Sequence, residues 1–321
     1  MLLKSSKMMF LSMIFISTIM MLSSNNLMFS WMSMEINLIS FLPIIIYSKK
    51  TKDQPMKYFI IQSLSSSMML MSILLNSKTE TPINLSIMMM VSMLMKMGMI
   101  PFHLWLPSMM KSLTWENCFL FTTWQKISPT ILISQMFSMK EMILPMIFSL
   151  LFSPISMMKT TSTKKIMGFS SINNSPWMIS SMILSKNIFM MFITVYTTIN
   201  FMIMNNFMKS NIMFINQINE KDKNMKLSMI INFISISGMP PMMGFFPKWM
   251  ILQKMIELSK LISMMMIISS FLTTMIYMKM IMTLMSSMTL KKKNFKKKSN
   301  KNMDISLNML GMSVFLMMNP N

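Results

Sequence analysis

Apolar runs of about 20 residues, the length of a helix that crosses a bilayer, recur along the whole chain. Of its 321 residues, 53% are hydrophobic and only 12% are charged. A soluble chain of this size has about twice that share of charged residues. The sequence therefore predicts an all-α, polytopic membrane protein, and we expect residues 1–321 to form a single integral-membrane domain.

The apolar pattern divides the chain into eleven predicted spans, one of them broken. Their bounds are 8–24, 27–47, 56–76, 82–100, 116–137, 142–158, 166–184, 187–206, 227–256 (broken), 260–285 and 303–319. The N-terminus and every second loop carry most of the net charge of +21. Because lysine-rich loops stay on the side where a chain is synthesised, this alternation supports the span count and predicts the N-terminus on that side.

The positive charge does not indicate nucleic-acid binding, because the lysines lie in short loops between apolar spans. The longest run, Lys291–Lys298, is typical of a solvated flank of a membrane helix, and binding of anionic lipid such as cardiolipin is the functional alternative. The chain has 58 methionines but no alanine and no arginine. This usage fits an AT-rich mitochondrial genome, and the synthesis side would then be the matrix.

The ninth span contains the segment SGMPPMMGFFPKW, residues 237–249, with two glycines and three prolines. Proline interrupts a helix, and irregular backbone at membrane depth occurs where protein or a water-filled cavity covers it. A second segment, PFHLWLP at residues 101–107, also follows an apolar run. One such break in each half of the chain is typical of transporters built from inverted repeats, with an ion pathway near the membrane midplane.

Four ionisable residues lie deep in predicted spans: Glu35, Lys96, Lys126 and Lys248. A deep charge is unfavourable alone, so each needs a partner or water. Glu35 can pair with only one lysine, which leaves the others to water or to carbonyl groups. Burial disfavours the charged form of a lysine, so these side chains could take up and release protons as a relay. Structural pairs that only orient helices are the alternative, and Lys279 could reach the membrane surface.

The remaining polar signals are weaker. His103 is the only histidine and Cys118 the only cysteine, so the sequence offers no zinc pattern and no intramolecular disulfide. A polar anchor at the interface and a proton relay both remain open for His103. No phosphate loop or dinucleotide motif occurs, so we expect no cofactor in this chain. Five tryptophans near span ends suggest an aromatic belt: Trp31, Trp105, Trp115, Trp177 and Trp249.

Three motifs, MKMGMIPFHLWLP, TWQKISP and SGMPPMMGFFPKW, resemble in order and spacing the subunit 2 family of mitochondrial NADH dehydrogenase, respiratory complex I. The resemblance covers nearly the whole chain. It implies an antiporter-like subunit of the membrane arm, with eleven helices and the N-terminus in the matrix. It also implies that Glu35 and Lys96 form a glutamate–lysine pair, that Lys126 is the central lysine, and that Lys248 is the distal lysine on the broken helix.

The resemblance implies a proton-translocating subunit of NADH:ubiquinone oxidoreductase in the mitochondrial inner membrane, with electron transfer in other subunits. Its partners would be the other subunits of the membrane arm. Two alternatives remain, a free-standing cation/proton antiporter and a scaffold of the membrane arm that does not pump.

Overall fold

The computed structural model of the chain describes residues 2–46, 53–76, 82–215, 217, 223–240 and 242–290. Across these residues the regular structure is helical, and the one β pairing is an isolated antiparallel bridge between Ser162 and Phe214. The predicted all-α class is thus confirmed for this part of the chain. The predicted span 303–319 and the run Lys291–Lys298 lie outside the described residues.

The chain divides into two compact units, and the first comprises Met1–Ser149. Its helices are α1 (Leu2–Leu22), α2 (Leu27–Ile46), α3 (Asp53–Asn76), α4 (Pro82–Met97), α5 (Trp105–Ser112), α6 (Trp115–Thr122) and α7 (Ile127–Met136), with a 3-10 turn at Trp124–Lys126. Helix α2 packs against α1 and α3, α3 packs against α4 and α5, and α7 packs against α1 and α4. The short helices α4 to α7 are therefore held by the long helices α1 and α3.

Four aromatic rings from different helices fix the short helices of the first unit. Phe41 of α2 lies edge-on to Tyr58 of α3, with ring centroids 5.6 Å apart. Trp105 of α5 and Phe121 of α6 also meet edge-on at 5.7 Å, and Tyr58 contacts both of them. Such aromatic contacts stabilise a packed core beyond the area they bury. The start of α5 and the end of α6 are thereby anchored to α2 and α3.

The second unit comprises Leu150–Asn321, and the division falls within helix α8 (Met139–Met158). Its further helices are α9 (Thr163–Leu184), α10 (Lys186–Ser210), α11 (Lys223–Ser237), α12 (Phe245–Leu258) and α13 (Lys260–Leu290). Helix α9 packs against α10, α12 and α13, and it is buried continuously from Ile166 to Ser181. The second unit is therefore built around α9.

Helix α9 is central although its sequence, SSINNSPW in the middle, is polar. Its serine hydroxyls donate to carbonyl groups of its own preceding turn, as Ser170 does to Met167 and Ser171 does to Gly168. Ser153 of α8 donates to the Asn173 side chain at 3.3 Å. Polar side chains are tolerated at membrane depth when such internal partners satisfy them. The polar sequence of α9 is consistent with its position inside protein rather than against lipid.

Six of the described helices are long and apolar enough to cross a membrane: α1, α2, α3, α8, α10 and α13. The apolar helices α4 and α11 are shorter, and each ends at a glycine with positive φ that precedes a second helix. The predicted span 116–137 is not one continuous helix, because the 3-10 turn at Trp124–Lys126 interrupts it. Pro129 accounts for this turn, since it has no N–H to donate to the carbonyl group of Gln125.

In each unit, one pair of helix ends that are distant in sequence is joined by direct contacts. In the first unit, Lys7 near the start of α1 forms a 2.7 Å salt bridge with Glu116 at the start of α6. In the second, the backbone N–H of Thr163 donates to Met213 and that of Ile215 donates to Thr161. The start of α9 therefore lies beside the chain that leaves α10. Each contact joins segments that the loop charges predict on the same side of the membrane.

Candidate proton-transfer site

Lys96 lies in the last turn of α4, at the break in the first unit. Helix α4 ends with hydrogen bonds from the Gly98 N–H to Met95 and from the Met99 N–H to Leu94, which define a Schellman motif. Gly98 has φ +65°, which favours glycine, and the Ile100–Pro101 peptide that follows is cis. The motif ends the helix at Met97, one residue after Lys96.

The lysine side chain extends from this helix end towards α2. Its Nζ lies 3.3 Å from the sulfur of Met34, and its ammonium interacts electrostatically with Glu35 on the same helix. No salt bridge joins Glu35 and Lys96 among the described residues, and the Oε1 atom of Glu35 is buried without a hydrogen-bond partner in this part of the chain. The implied pair stays a prediction: the two groups interact electrostatically, and the thioether of Met34 is a direct neighbour of the ammonium.

Lys126 is the last residue of the 3-10 turn between α6 and α7, and it is only 3% exposed. Its backbone N–H donates to the Thr123 carbonyl group at 3.3 Å. A 3-10 turn within an apolar helix often marks a functional site, because its hydrogen bonds are less regular than those of an α-helix. The turn therefore carries a buried cation at a point where the backbone is irregular.

Lys96 and Lys126 line the same cavity within the first unit. The cavity offers about 30 Å³ to the centres of water molecules, which is room for about two waters. Its polar lining besides the lysines consists of Asn37, Tyr58, Gln62, Gln125 and Ser128. A water chain in such a cavity can connect two groups that exchange protons. The structure thus brings together two of the four predicted site residues and places Glu35 next to one of them.

Lys248 lies in the first turn of α12, after the break in the second unit. Helix α11 ends with the same Schellman pattern, from Gly238 to Ser235 and from Met239 to Ile234, and Gly238 has φ +80°. The ammonium of Lys248 donates to the carbonyl groups of Ile236 and Ser237 at 3.1 and 3.2 Å. These groups belong to the unsatisfied end of a helix, where the helix dipole favours a cation.

The Lys248 ammonium also lies 5.8 Å from the centre of the Trp177 ring, within the range of a cation–π contact. Trp177 is only 1% exposed, so its predicted place in an aromatic belt is wrong. A small cavity beside Lys248 is lined by Asn174, Tyr196 and Ser235 among others. The Asn174 and Asn200 side chains adjoin the Tyr196 hydroxyl. Lys248 therefore has carbonyl, aromatic and polar neighbours.

Gly244 fixes how closely α12 approaches α11 at this break. A Cβ atom at position 244 would overlap the carbonyl oxygen of Ser235, and it would lie 3.3 Å from the Ile199 side chain. A Cβ at Gly238 would lie 3.0 Å from Cδ of Lys248. The two glycines of the motif thus have different roles. Gly244 allows the close packing of α12 on α11, and Gly238 allows the turn and leaves room for the Lys248 side chain.

Several other sequence predictions have simpler outcomes. Lys279 is exposed on α13, and its reach to the membrane surface stays a prediction. His103 lies in the link between α4 and α5, with Nδ1 3.4 Å from the Pro101 carbonyl oxygen, and its role stays open. Within the described residues no group of three metal-ligating side chains occurs. The expectation that this chain holds no cofactor stays a prediction.

Sequence reasoning missed the polar residues around the lysines. Asn37 and Gln125 line the first cavity, and Asn174 and Tyr196 line the second. Lys164 and Lys226 were assigned to loops, but both are buried in the second unit. One available signal was the spacing of Ser228, Asn232 and Ser235, which puts polar groups on one face of a helix otherwise apolar.

The chain matches the family model described as "NADH:quinone oxidoreductase/Mrp antiporter, TM" over residues 24–274. It is 37% identical over 265 residues to NADH-ubiquinone oxidoreductase chain 2 of Locusta migratoria, covering 78% of this chain and 77% of that protein. The chain 2 protein of Anopheles gambiae is 34% identical with the same coverage.

Solved structures have the same fold at low sequence identity. A chain of respiratory complex I from Thermus thermophilus superposes with a TM-score of 0.80 at 12% identity, over 97% of this chain and 77% of that chain. A chain of the Mrp complex from Dietzia superposes with a TM-score of 0.68 at 10% identity, over 90% and 61%. The family match and the insect relatives together show that the chain belongs to the NADH:quinone oxidoreductase/Mrp antiporter transmembrane family, among its NADH-ubiquinone oxidoreductase chain 2 members.

Proposed function

We propose that this chain is a membrane-arm subunit of NADH:ubiquinone oxidoreductase that carries protons across the mitochondrial inner membrane. Its relatives are named as chain 2 of that enzyme. NADH oxidation and quinone reduction take place in other subunits, and this chain holds no redox centre of its own. Its partners are the neighbouring membrane-arm subunits, and anionic lipid at the run Lys291–Lys298 remains the alternative to a solvated flank.

The observation that carries this proposal is the cavity shared by Lys96 and Lys126. Lysines are costly at membrane depth, and two of them beside one water-sized space suit proton exchange better than structural pairing. Glu35 biases the charge on Lys96 through its electrostatic interaction. A proton passes from Lys96 to Lys126 through water in the cavity, and Lys248 is the proton-binding site of the second unit.

Lys248 suits this role because two carbonyl groups hold its ammonium, and no salt bridge to an acid forms within the part of the chain that the structure describes. An ammonium has three N–H donors. Two of the three are occupied by the end of α11, which leaves one for a proton acceptor. The adjacent cavity, lined by Asn174 and Tyr196, provides a polar space next to the Lys248 side chain.

The proposed topology has eleven spans, with the ninth broken and the N-terminus in the matrix. The salt bridge between Lys7 and Glu116 supports it, because both residues belong to segments assigned to the matrix side. The pairing of Thr163 with Met213 supports it in the same way for the second unit. Helix pairs α6/α7 and α11/α12 then each lie within one predicted span, and α5 follows the fourth span, 82–100.

The test is Lys126→Met in the assembled enzyme, with protons pumped per NADH and NADH-driven turnover measured in sealed vesicles. Lys111→Met is the matched control, because Lys111 is exposed at the end of α5 in the same unit. We expect Lys126→Met to reduce coupled turnover at least about tenfold at normal assembly, since a positioned proton-transfer group typically contributes about a hundredfold or more. The control should retain wild-type turnover.

Two results would contradict the proposal. Unchanged pumping in assembled Lys126→Met would favour a scaffold that does not pump. Purification of the chain as an active cation/proton antiporter, free of any NADH-oxidising assembly, would favour the free-standing transporter.

A further inference from the structure

Asn37 of α2 contacts the chain on both sides of Lys126. The Gln125 side-chain amide donates to Oδ1 of Asn37 at 2.8 Å, and the Asn37 amide donates to Oγ of Ser128 at 3.3 Å. Asn37 is 5% exposed and Ser128 is 2% exposed, so both hydrogen bonds are inside the protein. One amide group thus joins the residue before Lys126 and the residue two positions after it.

The turn that carries Lys126 is short. It comprises three residues, Trp124–Lys126, between two short helices. Its first backbone bond is from Lys126 to Thr123, and Pro129 cannot donate to Gln125. Short 3-10 segments have poorer hydrogen-bond geometry than α-helices. The side-chain bonds to α2 therefore matter more for its position than they would in a regular helix.

The same residues line the cavity between the two lysines. Asn37, Gln125 and Ser128 lie in its wall with Lys96 and Lys126. A proton is transferred efficiently only when donor, water and acceptor are held in line within hydrogen-bonding distance. A small displacement of the turn would separate Lys126 from the water space that it shares with Lys96.

We propose that Asn37 is a positioning residue that ties the Lys126 turn to α2 and so keeps Lys126 in the cavity shared with Lys96. This inference rests on the proposed role of Lys126 in proton transfer. Asn37 itself does not carry the proton. Its two hydrogen bonds set the geometry in which Lys126 does so.

The first experiment compares Asn37→Leu with Ser40→Ala in the assembled enzyme. Leucine has the same number and branching of side-chain heavy atoms as asparagine but forms neither hydrogen bond. Ser40 is the matched control, because it is buried one turn further along α2 and its hydroxyl donates to a carbonyl group of its own helix, that of Asn37. We expect Asn37→Leu to reduce coupled turnover per assembled enzyme about tenfold, which is less than the roughly hundredfold loss that a misplaced reacting group can cause. Ser40→Ala should stay at the wild-type value.

A second readout separates positioning from a loss of structure. Turnover in D2O relative to H2O should fall more in Asn37→Leu than in the wild type, because proton transfer at Lys126 becomes rate-limiting. Loss of structure alone would lower the amount of enzyme and leave this isotope ratio unchanged. Ser128→Ala removes only one of the two bonds and should give a smaller loss, which also provides a milder variant if Asn37→Leu fails to assemble.

The double variant Asn37→Leu/Lys126→Met completes the test. If Asn37 acts through Lys126, the double variant should turn over at the rate of Lys126→Met alone. Wild-type turnover in assembled Asn37→Leu, or in Ser128→Ala where only that variant assembles, would overturn the inference while Lys126→Met remains impaired. A further loss in the double variant would also overturn it. An unimpaired Lys126→Met would instead refute the proposed function itself.

Discussion

The two helix breaks, one at Gly98 and one at Gly238, end their helices in the same way but use their lysines differently. Both breaks have a glycine with positive φ, and both show the two hydrogen bonds of a Schellman motif. In the first unit the lysine precedes the glycine, and its side chain extends to α2 and the neighbourhood of Glu35. In the second unit the lysine follows the glycine, and its side chain returns to the helix end.

This difference explains how Glu35 can interact with one of these two lysines while the other uses carbonyl groups. A lysine after the break, such as Lys248, can reach the free carbonyl groups of the helix that has just ended. Lys96 lies before the break and interacts instead with Glu35 and with the sulfur of Met34. The same backbone motif therefore supports one lysine that depends on an acid and one that depends on carbonyl groups.

The largest effect is expected from the glycines that shape the two breaks. Gly244→Ala would put a methyl group into the Ser235 carbonyl oxygen, and backbone cannot rotate away as a side chain can. We expect it to destabilise the second unit by more than about 3 kcal/mol and to prevent assembly. The measurement is the amount of assembled enzyme in the membrane.

Gly98→Ala is the comparison at the other break. Its Cβ would lie 2.9 Å from the Leu106 side chain, which can move, so the cost is mainly the positive φ, about 1–2 kcal/mol. This variant should assemble at reduced yield. Equal losses from Gly244→Ala and Gly98→Ala would show that close packing of α12 on α11 is not the reason for Gly244.

The next effect concerns the acid at the first break. Glu35→Gln removes the negative charge that interacts with Lys96, while Lys248 keeps its carbonyl partners. We expect coupled turnover to fall about tenfold, because Lys96 loses the negative charge that favours its protonated form during proton transfer. Turnover and protons pumped per NADH measure this effect.

Glu257→Gln is the control for that prediction, because Glu257 is exposed on the helix that carries Lys248. It should behave as the wild type. If both variants lost the same activity, the dependence of Lys96 on a specific acid would be refuted, and the distinction between the two breaks would fail with it.

The sequence predicted most helices because apolar length and proline are local signals. The segment at residues 237–249 was predicted as a break, and α11 ends at Ser237 while α12 begins at Phe245. The turn at Lys126 was missed, although Pro129 was a local signal for it. A run of apolar residues on both sides of that turn concealed it.

The site was predictable as a set of deep charges but not as a geometry. Side chains from distant segments decide the partners: Met34 for Lys96, and Trp177 for Lys248. Trp177 was read as an interfacial residue because it lies near the end of an apolar run, whereas α10, α12 and α13 enclose its helix. Burial of this kind depends on which helices are neighbours, and local patterns along the sequence do not show which helices pack together.

The smallest effect is expected at the sulfur beside Lys96. Met34→Leu keeps the size and the apolar character of the side chain but removes the acceptor that lies 3.3 Å from Nζ. A thioether is a weak hydrogen-bond acceptor, and the charge of Glu35 remains. We therefore expect coupled turnover to fall by less than about threefold, with normal assembly, since leucine and methionine exchange at a cost below about 1.5 kcal/mol.

Met34→Leu thus tests which neighbour of Lys96 supports proton transfer. The informative quantity is its coupled turnover relative to that of Glu35→Gln, measured in the same vesicles. If the acid sets the charge on Lys96, the double variant Met34→Leu/Glu35→Gln should have the same coupled turnover as Glu35→Gln alone. Removing the sulfur changes little once the negative charge of Glu35 is gone. If Met34→Leu is as severe as Glu35→Gln, the ammonium depends on a close contact in both units. Lys96 and Lys248 would then follow one rule, with sulfur at the first break in the place of the carbonyl groups at the second.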